Sequence, residues 1–370
     1  MLVEAVRDFA RGELRERDQA WDRSEATCCT ELDSLYEMGI LGLRVPESAG
    51  GIDCPMVPYA HIIRELAYAS PSVAVTVGVH NMVAAIIDQY ACDEVKSDLL
   101  PKLALPGNLS AFAISEPNAG SDPASARTRA TNAADGFRLN GSKMWVTNGL
   151  TGRWFVVLAR LGDGKTSDEL CMFVVDATAA GVRRNPIRGK MGIRGSETAE
   201  MSFENVRVPQ QNLLGKPGWG LRIALSALDG GRIGIASQAL GIAQACLDLM
   251  VAYSRSREQF NRPICEFQAI QWMLADSKTE ILAAQQLIDK AAWLAERGRR
   301  FSSNAAMAKL YASETATRVA DRAVQVHGGY GYVNEFRVEQ LYRDARITRL
   351  YEGTSEVQRI VIARGLLRGE

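Results

Sequence analysis

One carboxylate near the end of the chain, Glu352, stands where it could act as a general base. It is followed by Gly353 and then by Thr354 and Ser355, residue types that begin helices. The apolar residues of 357–361 have helical spacing, so one of the two hydroxyl residues is the expected N-cap. Glu352 would then lie on a turn beside a glycine, which lets another molecule approach closely. Apolar surroundings would raise its pKa and suit it to proton removal, whereas the plain alternative is an acidic residue that favours a helix N-terminus.

The segment 112–122 could surround the edge of a planar ring. Its order, FAISEPNAGSD, predicts a short strand and then a turn-rich loop of small residues, hydroxyls and backbone N–H groups. Such a loop can approach an oxygen-rich ligand closely. A plain strand and turn without a ligand would have the same pattern.

A second strand segment, Met144–Asn148, places an aromatic ring and a hydroxyl together. Alternation along a strand puts Trp145 and Thr147 on one face and Val146 on the other. An indole on that face could stack on a flat aromatic group, and the hydroxyl could donate to a ring nitrogen. The alternative is a tryptophan that simply packs in the core.

Charged residues flank a strongly apolar segment that runs from Arg232 to Ser254. Asp229 and Arg232 are three residues apart, so they would share a face at the start of a helix and form an ion pair. Arg257 follows the segment in the sequence SRSRE, a basic position suited to bidentate contacts with a pyrophosphate. Taken alone, Arg257 is equally typical of a solvated charge.

These residues must be positioned by three blocks of different pattern. Helical periodicity dominates residues 1–108, with 73–90 predicted as a buried helix and short strands as the alternative. Residues 109–219 predict short strands at 154–159, 170–175 and 200–203, and a hairpin in which Asn140-Gly141 forms a type I′ turn between 137–139 and 143–147.

Long helices return in residues 220–370, over 232–254, along a stripe from 270 to 291, and over 304–327 before Gly328-Gly329. The predicted fold class is α+β: an N-terminal helical domain, a small central β-barrel, for which a sandwich is the alternative, and a C-terminal four-helix bundle. No GxGxxG follows a strand and no GxxxxGK[ST] occurs, so a Rossmann or P-loop nucleotide site is poorly supported.

Composition excludes several classes of function. The 370 residues include 43 basic and 43 acidic side chains, for a net charge of +0, so neither a nucleic-acid surface nor a basic membrane-binding face is expected. Seven scattered cysteines without CxxC spacing predict buried thiols in a reducing compartment, and three distant histidines predict no metal site. The N-terminus lacks a signal-peptide pattern and no apolar run is expected to span a bilayer, so the expected location is cytoplasmic.

The C-terminal motif resembles the signature of the acyl-CoA dehydrogenase family. It consists of Arg343-Asp344-Ala345-Arg346-Ile347 followed by Tyr351-Glu352-Gly353-Thr354. The loop SEPNAGSD at 115–122 is similar to the flavin-contacting segment of that family, and the run 231–241 looks most like its short-chain, butyryl-CoA dehydrogenase-like branch. The resemblance implies a helical, barrel and helical order of domains that holds flavin without a Rossmann fingerprint.

By this resemblance Glu352 is the base that removes the α-proton of an acyl thioester. The isovaleryl- and long-chain-type branches carry their catalytic glutamate at the position of Gly231, where this chain has no side chain to compete. The β-hydrogen would leave as hydride to the flavin. The Glu352 backbone N–H and a flavin ribityl hydroxyl would bind the thioester oxygen.

The resemblance also implies the remaining contacts. The residues matching substrate-binding positions are Ser121, Asp229, Arg232 and Gly353. The residues matching FAD-binding positions are Phe112, Ile114, Ser115, Gly120, Ser121, Trp145, Val146, Thr147, Arg257, Phe260, Gln268, Gln325, Val326, Gly328, Gly329, Thr354 and Glu356. Part of the adenosine diphosphate site would cross a subunit boundary. His327 departs from the aliphatic or aromatic residue that relatives often have.

The expected activity is therefore FAD-dependent α,β-dehydrogenation of a short-chain, branched or cyclic acyl-CoA by a homotetramer that passes electrons to an electron-transfer flavoprotein. Carrier-protein thioesters, and oxygen as the acceptor, are the alternatives on the same fold. A catalytically silent acyl-CoA-binding protein is less expected because Glu352, Trp145 and Thr147 are all present. Ala74 falls where glutaryl-type relatives carry an arginine, which argues against a dicarboxylic substrate.

Overall fold

The chain forms a helical unit, a β unit and a second helical unit in that order. The computed structural model describes residues 1–162, 166 and 169–369. In the first unit a short π-helical turn, Ala10–Leu14, joins the first two helices. Its helices are α1 (Leu2–Phe9), α2 (Arg15–Ser24), α3 (Asp33–Glu37), α4 (Met56–Ala69), α5 (Pro71–Tyr90) and α6 (Asp93–Leu103).

Helix α5 is the buried helix that the sequence predicts, so the alternative of short strands is wrong. Ser70 is its N-cap, and its hydroxyl accepts a hydrogen bond from the Val73 N–H at 3.1 Å. Pro71 occupies the first helical position, where its missing N–H costs nothing. Apolar packing on nearly all sides then outweighs the strand preference of the β-branched residues.

The β unit is an open mixed sheet, so the predicted barrel is wrong. Its strands follow the order β6-β7-β3-β2-β4-β5-β8, and β1 pairs in parallel with β4. Within the described residues β6 and β8 are not paired with each other, because β8 has two residues and β6 is a largely exposed edge strand with arginines and a proline. The strands are β1 (Ser110–Ala113), β2 (Arg129–Ala133), β3 (Gly136–Thr147), β4 (Trp154–Leu161), β5 (Leu170–Asp176), β6 (Val182–Pro186), β7 (Thr198–Val208) and β8 (Leu213–Leu214).

Asn140-Gly141 lies inside β3, so the predicted hairpin turn is also wrong. The hairpin joins β2 to β3 instead, where Ala133 pairs with Gly136. Strand β7 pairs with β3 on both sides of Gly141, and the register shifts between Leu139 and Gly141, which marks a β-bulge. Gly141 has φ +145°, and a Cβ there would lie 2.7 Å from the Thr128 Cα. Glycine is therefore needed for the bulge and not for a turn.

The C-terminal unit is helical, as predicted. Three long helices pack together through small residues, and two shorter ones pack on α9. The helices are α7 (Gly220–Ser256), α8 (Gln268–Glu296), α9 (Ser302–His327), α10 (Val338–Ile347) and α11 (Ser355–Leu367), with a small hairpin of β9 (Glu258–Gln259) and β10 (Arg262–Pro263) between α7 and α8. Helix α7 begins at Gly220, so Asp229 and Arg232 lie inside it and not at its start. The predicted unit boundaries at residues 108 and 219 stay predictions.

Two helices are long and apolar enough to cross a membrane by length and composition alone. They are α5 and α7, and 78% and 72% of their apolar stretches are buried inside the protein. The expectation that the sequence holds no such run is therefore wrong. Burial on most sides within the fold is a sufficient reason for their composition.

Candidate active site

Glu352 lies on the turn between α10 and α11, as the sequence predicts. Thr354 is the N-cap of α11, and its hydroxyl accepts a hydrogen bond from the Val357 N–H at 3.4 Å. Glu352 and Gly353 both have left-handed backbones, with φ +51° and +90°. This conformation costs a residue with a side chain about 1–2 kcal/mol, so the surroundings of Glu352 must enforce it.

The side chains of Lys309 and Gln358 hold this turn by hydrogen bonds to its carbonyl groups. The Lys309 ammonium donates to the Gly353 carbonyl at 2.7 Å, and the Gln358 amide donates to the same carbonyl at 2.8 Å. Gln358 also donates to the Glu352 carbonyl at 3.3 Å. Lys309 is fully buried in α9. The sequence analysis assigned neither residue a role: Gln358 ends the stretch around Glu352, and Lys309 lies far from it in the chain.

The Glu352 carboxylate is placed to take up a proton. Its Oε2 atom is buried and has no hydrogen-bond partner within the described residues. Burial raises the pKa of Glu352 to about 7, and the charges of Lys309 and Arg232 oppose that rise. The result is a side chain that exchanges its proton near neutral pH, which is what a general base requires.

Gly231 meets the carboxylate directly. A Cβ built at Gly231 would lie 1.9 Å from the Glu352 Oε2, so no side chain at residue 231 is compatible with this carboxylate position. The family resemblance names residues 231 and 352 as the two positions for a catalytic glutamate. Side chains at these positions would therefore occupy the same place. Among the described residues that line this pocket, Glu352 alone carries a carboxylate.

The carboxylate faces a small, largely apolar pocket of about 20 Å³, room for about one water molecule. Helices α4, α5 and α7 form its walls. Ala74 is among the lining residues, so the position singled out for substrate choice does reach the pocket. The full lining is Tyr59, Ile63, Ala74, Val75, Gly78, Val79, Gly231, Gly234, Ile235, Gln238 and Glu352.

Tyr351 connects the turn to the other two units. Its hydroxyl hydrogen-bonds to the Gln238 side chain on α7, whose amide in turn donates to the Pro71 carbonyl at 2.9 Å. Its ring packs with a cluster around Val75 that also receives Phe112 of β1. The 112–122 segment is thereby brought to the side of the Glu352 turn.

A buried ion pair ties the loop after β1 to strand β3. The Lys143 ammonium lies 2.7 Å from the Glu116 carboxylate, and both side chains are almost completely buried. The Ser115 carbonyl also accepts the Met144 N–H at 2.9 Å. The ion pair therefore fixes the loop to the Trp145 strand. The sequence analysis missed it, although Glu116 lies inside the first motif and Lys143 immediately precedes the second.

Trp145 presents its ring to the outside. It sits in a second β-bulge of β3 with φ +61°, and it is 63% exposed. Val146 is buried in the sheet and Thr147 is partly exposed, in agreement with the predicted faces. Ile114 and Ser115 are also partly exposed, and Gly120 and Ser121 are exposed.

Asp229 and Arg232 form the expected ion pair on α7. Asp229 also accepts a hydrogen bond from the Ser302 hydroxyl at the start of α9. Arg232 is buried, and its Nε has no partner within the described residues. Its guanidinium is one of the two charges that act on Glu352.

The remaining predicted cofactor residues lie apart from this pocket. A groove of about 670 Å³ at the end of α9 is lined by Arg257, Val326, Gly328 and Gly329, and no described residue lines both cavities. Further predicted residues that are exposed are Phe260 at the tip of the β9–β10 hairpin, Gln268, Gln325 and Glu356, while Thr354 caps α11. His327 is buried, and its ring stacks on Tyr253 at 4.2 Å.

The residues present fit a bound flavin nucleotide. The Trp145 indole is 63% exposed in a strained backbone conformation, and the partly exposed hydroxyl residues Thr147 and Ser115 lie beside it. Together they offer a stacking platform with hydrogen-bonding groups. The groove offers a guanidinium, Arg257, and two glycines that leave the backbone accessible. Phe260 is a second exposed aromatic residue: it is 87% exposed and has φ +54°. Its ring is uncovered in the single chain.

Within the described residues no group of three or more His, Cys, Asp or Glu side chains could hold a metal ion. All seven cysteines are free thiols; four are buried, but Cys92 is exposed, so the expectation of buried thiols holds for only part of the set.

Comparison with known proteins assigns all three units to one family. Acyl-CoA dehydrogenase domain models match the N-terminal domain at residues 1–105, the middle domain at 111–206 and the C-terminal domain at 218–367. A probable acyl-CoA dehydrogenase of Bacillus subtilis (strain 168), YngJ, is 41% identical over 100% of this chain and 97% of its own. The mitochondrial short-chain specific acyl-CoA dehydrogenase of Homo sapiens is 40% identical over 100% of this chain and 90% of its own.

Solved structures agree. Butyryl-CoA dehydrogenase from Megasphaera elsdenii has a TM-score of 0.96 at 39% identity, covering 99% of this chain and 97% of that chain. A chain from work on the electron transferring flavoprotein of Acidaminococcus fermentans has a TM-score of 0.97 at 39% identity, covering 100% and 97%. A glutaryl-CoA dehydrogenase from Mycobacterium smegmatis in complex with FADH2 has a TM-score of 0.92 at 29% identity, covering 100% and 94%. The chain therefore belongs to the acyl-CoA dehydrogenase family of flavoprotein oxidoreductases.

Proposed function

We propose that this enzyme uses FAD to introduce a double bond between the α and β carbons of a short-chain acyl-CoA, with Glu352 as the base. The observation that carries the proposal is the unpaired, buried carboxylate at the end of an apolar pocket, with its pKa raised to about 7. Glu352 takes the α-proton of the thioester substrate. The strained turn aims the carboxylate. The Glu352 backbone N–H, which makes no backbone hydrogen bond within the described residues, would bind the thioester oxygen as charge develops there.

The residues around Trp145 would hold the FAD ring system. Trp145 stacks on it, Thr147 and Ser115 bind its polar edge, and Phe112, Ile114, Gly120, Ser121 and Val146 complete the site. FAD, when bound there, accepts the hydride that leaves the β carbon. The exposed indole and the relative solved with FADH2 support this choice of cofactor.

The adenosine diphosphate half would lie in the groove at the end of α9. Arg257 pairs with the pyrophosphate, and Gly328 and Gly329 allow close approach of the backbone. The contacts expected at Gln268, Gln325, Val326, Thr354 and Glu356 belong to the same half. Phe260, uncovered in one chain, suits a contact with a cofactor held by a neighbouring subunit.

The thioester carrier would contact Ser121, Asp229, Arg232 and Gly353. Exposed apolar side chains on α8 and α11, including Trp272, Leu282 and Ile360, support a homotetramer in which these helices are covered. Electron-transfer flavoprotein is the proposed electron acceptor. The similarity to a chain from work on such a flavoprotein supports that acceptor over oxygen.

Replacing Glu352 with glutamine tests the assignment of the base. Glu352→Gln keeps the size of the side chain but cannot accept the proton, so reduction of the bound flavin by butyryl-CoA should slow by about 10²–10⁴-fold. The measurement is anaerobic mixing of purified holoenzyme with butyryl-CoA while the flavin absorbance is followed. Glu37→Gln, a change at an exposed position outside the pocket, is the matched control and should reduce at the wild-type rate.

Three results would contradict the proposal. A wild-type protein that purifies without flavin would contradict the cofactor, and a rate in Glu352→Gln equal to that of the wild type would contradict the base. Binding of butyryl-CoA without any flavin reduction by the wild type would favour the silent acyl-CoA-binding protein. Rapid reoxidation of the reduced enzyme by air would favour the oxidase.

A further inference from the structure

The pocket in front of Glu352 ends at one aromatic side chain. Tyr59 stands in the first turn of α4 and is 6% exposed. It belongs to the core cluster of the N-terminal unit together with Ile62, Ile63 and Leu66, so its ring is held firmly from the α4 side. Tyr59 is one of the residues that line the pocket, and its hydroxyl makes no hydrogen bond with any described residue. Burial raises the pKa of Tyr59 well above its usual range, so the group stays a neutral hydroxyl.

The Tyr59 hydroxyl lies between the two helices on the opposite walls. It lies 4.0 Å from the position of a Cβ on Gly78 of α5 and 3.8 Å from that of a Cβ on Gly234 of α7. A methyl group on either glycine would just touch the hydroxyl, so the hydroxyl lies between the two helices, close to both. A hydrocarbon chain that entered from the Glu352 side would meet it there.

The distance available to the chain follows from the spacing on α7. Gly231 faces the Glu352 carboxylate and Gly234 faces the Tyr59 hydroxyl, and these glycines are three residues apart on one helix. Three residues correspond to about 4.5 Å of helix rise. An acyl chain that starts beside the carboxylate would therefore reach the tyrosine after only a few carbon atoms.

We propose that Tyr59 is the residue that sets the length of the acyl group, restricting the enzyme to short acyl thioesters such as butyryl-CoA. The proposal rests on the function proposed above and identifies the residue that limits the length of its substrates. Tyr59 acts by excluded volume: its ring occupies the place that a longer chain would need, and Gly78 and Gly234 are small enough to let it reach across. The aromatic ring is what excludes longer acyl chains, and the hydroxyl only extends it toward Gly78 and Gly234.

The test compares turnover of butyryl-CoA, hexanoyl-CoA and octanoyl-CoA by wild-type holoenzyme and Tyr59→Ala. Removing the ring opens the pocket toward the α4 side, so the ratio of kcat/KM for octanoyl-CoA to that for butyryl-CoA should rise at least tenfold, about the effect of one or two methylene groups in an apolar pocket. Tyr59→Phe keeps the ring and should keep the wild-type order of preference.

Tyr68→Ala is the matched control. Tyr68 lies on the same helix, but its hydroxyl bonds to Asp248 at 2.9 Å and it does not line the pocket, so this variant should leave the chain-length ratio unchanged. Flavin content and melting temperature establish that each variant is folded. If Tyr59→Ala does not fold, Tyr59→Leu removes most of the ring while keeping the core apolar, and the same ratio decides.

A folded variant at residue 59 without the ring but with the wild-type ratio would overturn the inference, as would efficient octanoyl-CoA turnover by the wild type. An equal rise in the Tyr68 control would also overturn it. Absence of turnover by the wild type with every acyl-CoA is a different outcome, since it refutes the proposed function and not the geometry of the pocket.

Discussion

At the scale of single residues, the Glu352 carboxylate is subject to opposing influences. Burial raises its pKa to about 7, and the positive charges of Lys309 and Arg232 restrain the rise. The base is active only when deprotonated, so turnover should increase with pH through about 7 and level off above it. Lys309 itself has a pKa lowered to about 8, chiefly by burial, so its charge is present while Glu352 titrates.

Lys309→Met should move that pH dependence upward. Methionine fills a similar volume but carries no charge, so the carboxylate loses a neighbour that favours its ionised form and the midpoint of the kcat/KM profile rises above about 7. The measurement is kcat/KM for a short acyl-CoA across the neutral range. Lys278→Met, at an exposed position on α8, is the control and should keep the wild-type midpoint. A lower kcat with an unchanged midpoint would mean that Lys309 serves only to hold the Gly353 carbonyl.

What sequence could predict at this scale depends on chain distance. Glu352, Gly353 and Thr354 are neighbours, so their turn followed from local rules of helix capping. Lys309 reaches the same turn from α9, and nothing in its own alanine-rich segment indicates which carbonyl it will meet. Contacts of that kind are set by helix packing, which a local pattern does not contain.

At the scale of elements, the loop 114–121 and strand β3 depend on one buried ion pair. Glu116 accepts from Lys143 at 2.7 Å and from the backbone N–H groups of Arg127 and Thr128 at 2.6 and 2.9 Å. Its charge is therefore satisfied on several sides. Burial favours the protonated form of Glu116, but Lys143 and these hydrogen bonds outweigh it and lower its pKa.

Lys143→Met should destabilise the enzyme by about 3–5 kcal/mol, because it leaves the Glu116 carboxylate buried without its counter-charge. Adding Glu116→Gln should recover part of the loss, since an amide costs less to bury unpaired than a carboxylate. Urea or thermal unfolding followed with flavin release measures both. Equal stability of the single variant and the wild type would contradict the argument, and Lys102→Met at an exposed ion pair supplies the control, with an expected loss under about 1 kcal/mol.

Strand pairing explains where prediction failed at this scale. Asn140-Gly141 is a strong local signal for a hairpin turn, and the signal did mark an irregular position. Whether it becomes a turn or a bulge depends on the partner strand, here β7, which lies some sixty residues away and continues past Gly141. Barrel closure failed for the same reason, because it depends on the pairing of the two terminal strands.

At the scale of the whole molecule, the Arg343-Asp344 motif joins the three units behind the active site. Arg343 makes a two-pronged contact with Asp22 of α2, at 3.0 and 2.6 Å, and Asp344 accepts the backbone N–H of Ile193 in the β unit. Gln340 bridges Asp344 and Asp18 of α2. The sequence analysis used this motif only as a family signature. In the structure it lies where the three units meet, on the helix that leads into the Glu352 turn.

The junction should make stability depend on pH. Burial, and next the charge of Asp18, raise the pKa of Asp344 to about 8, against an ordinary value of 3.8. Between these values the folded protein holds a proton that the unfolded chain has lost, so the contribution of this group is complete below about pH 4 and is lost as pH rises to about 8. The charges of Lys190 and Asp344 act on each other, and the pKa of Lys190 is lowered to about 8, mainly by burial. Above pH 8 both groups would change charge, so the stability of the variants is best compared below pH 8.

Asp344→Asn isolates this effect. Asparagine keeps an oxygen to accept the Ile193 N–H but cannot ionise, so its melting temperature should fall less than that of the wild type between about pH 5 and about pH 8. Asp8→Asn, at an exposed position on α1, should follow the wild-type curve. Parallel curves for Asp344→Asn and the wild type would mean that the Asp344 carboxyl is ionised throughout and not protonated. The difference between the curves thus reports whether the three units meet around a neutral acid or around a buried charge.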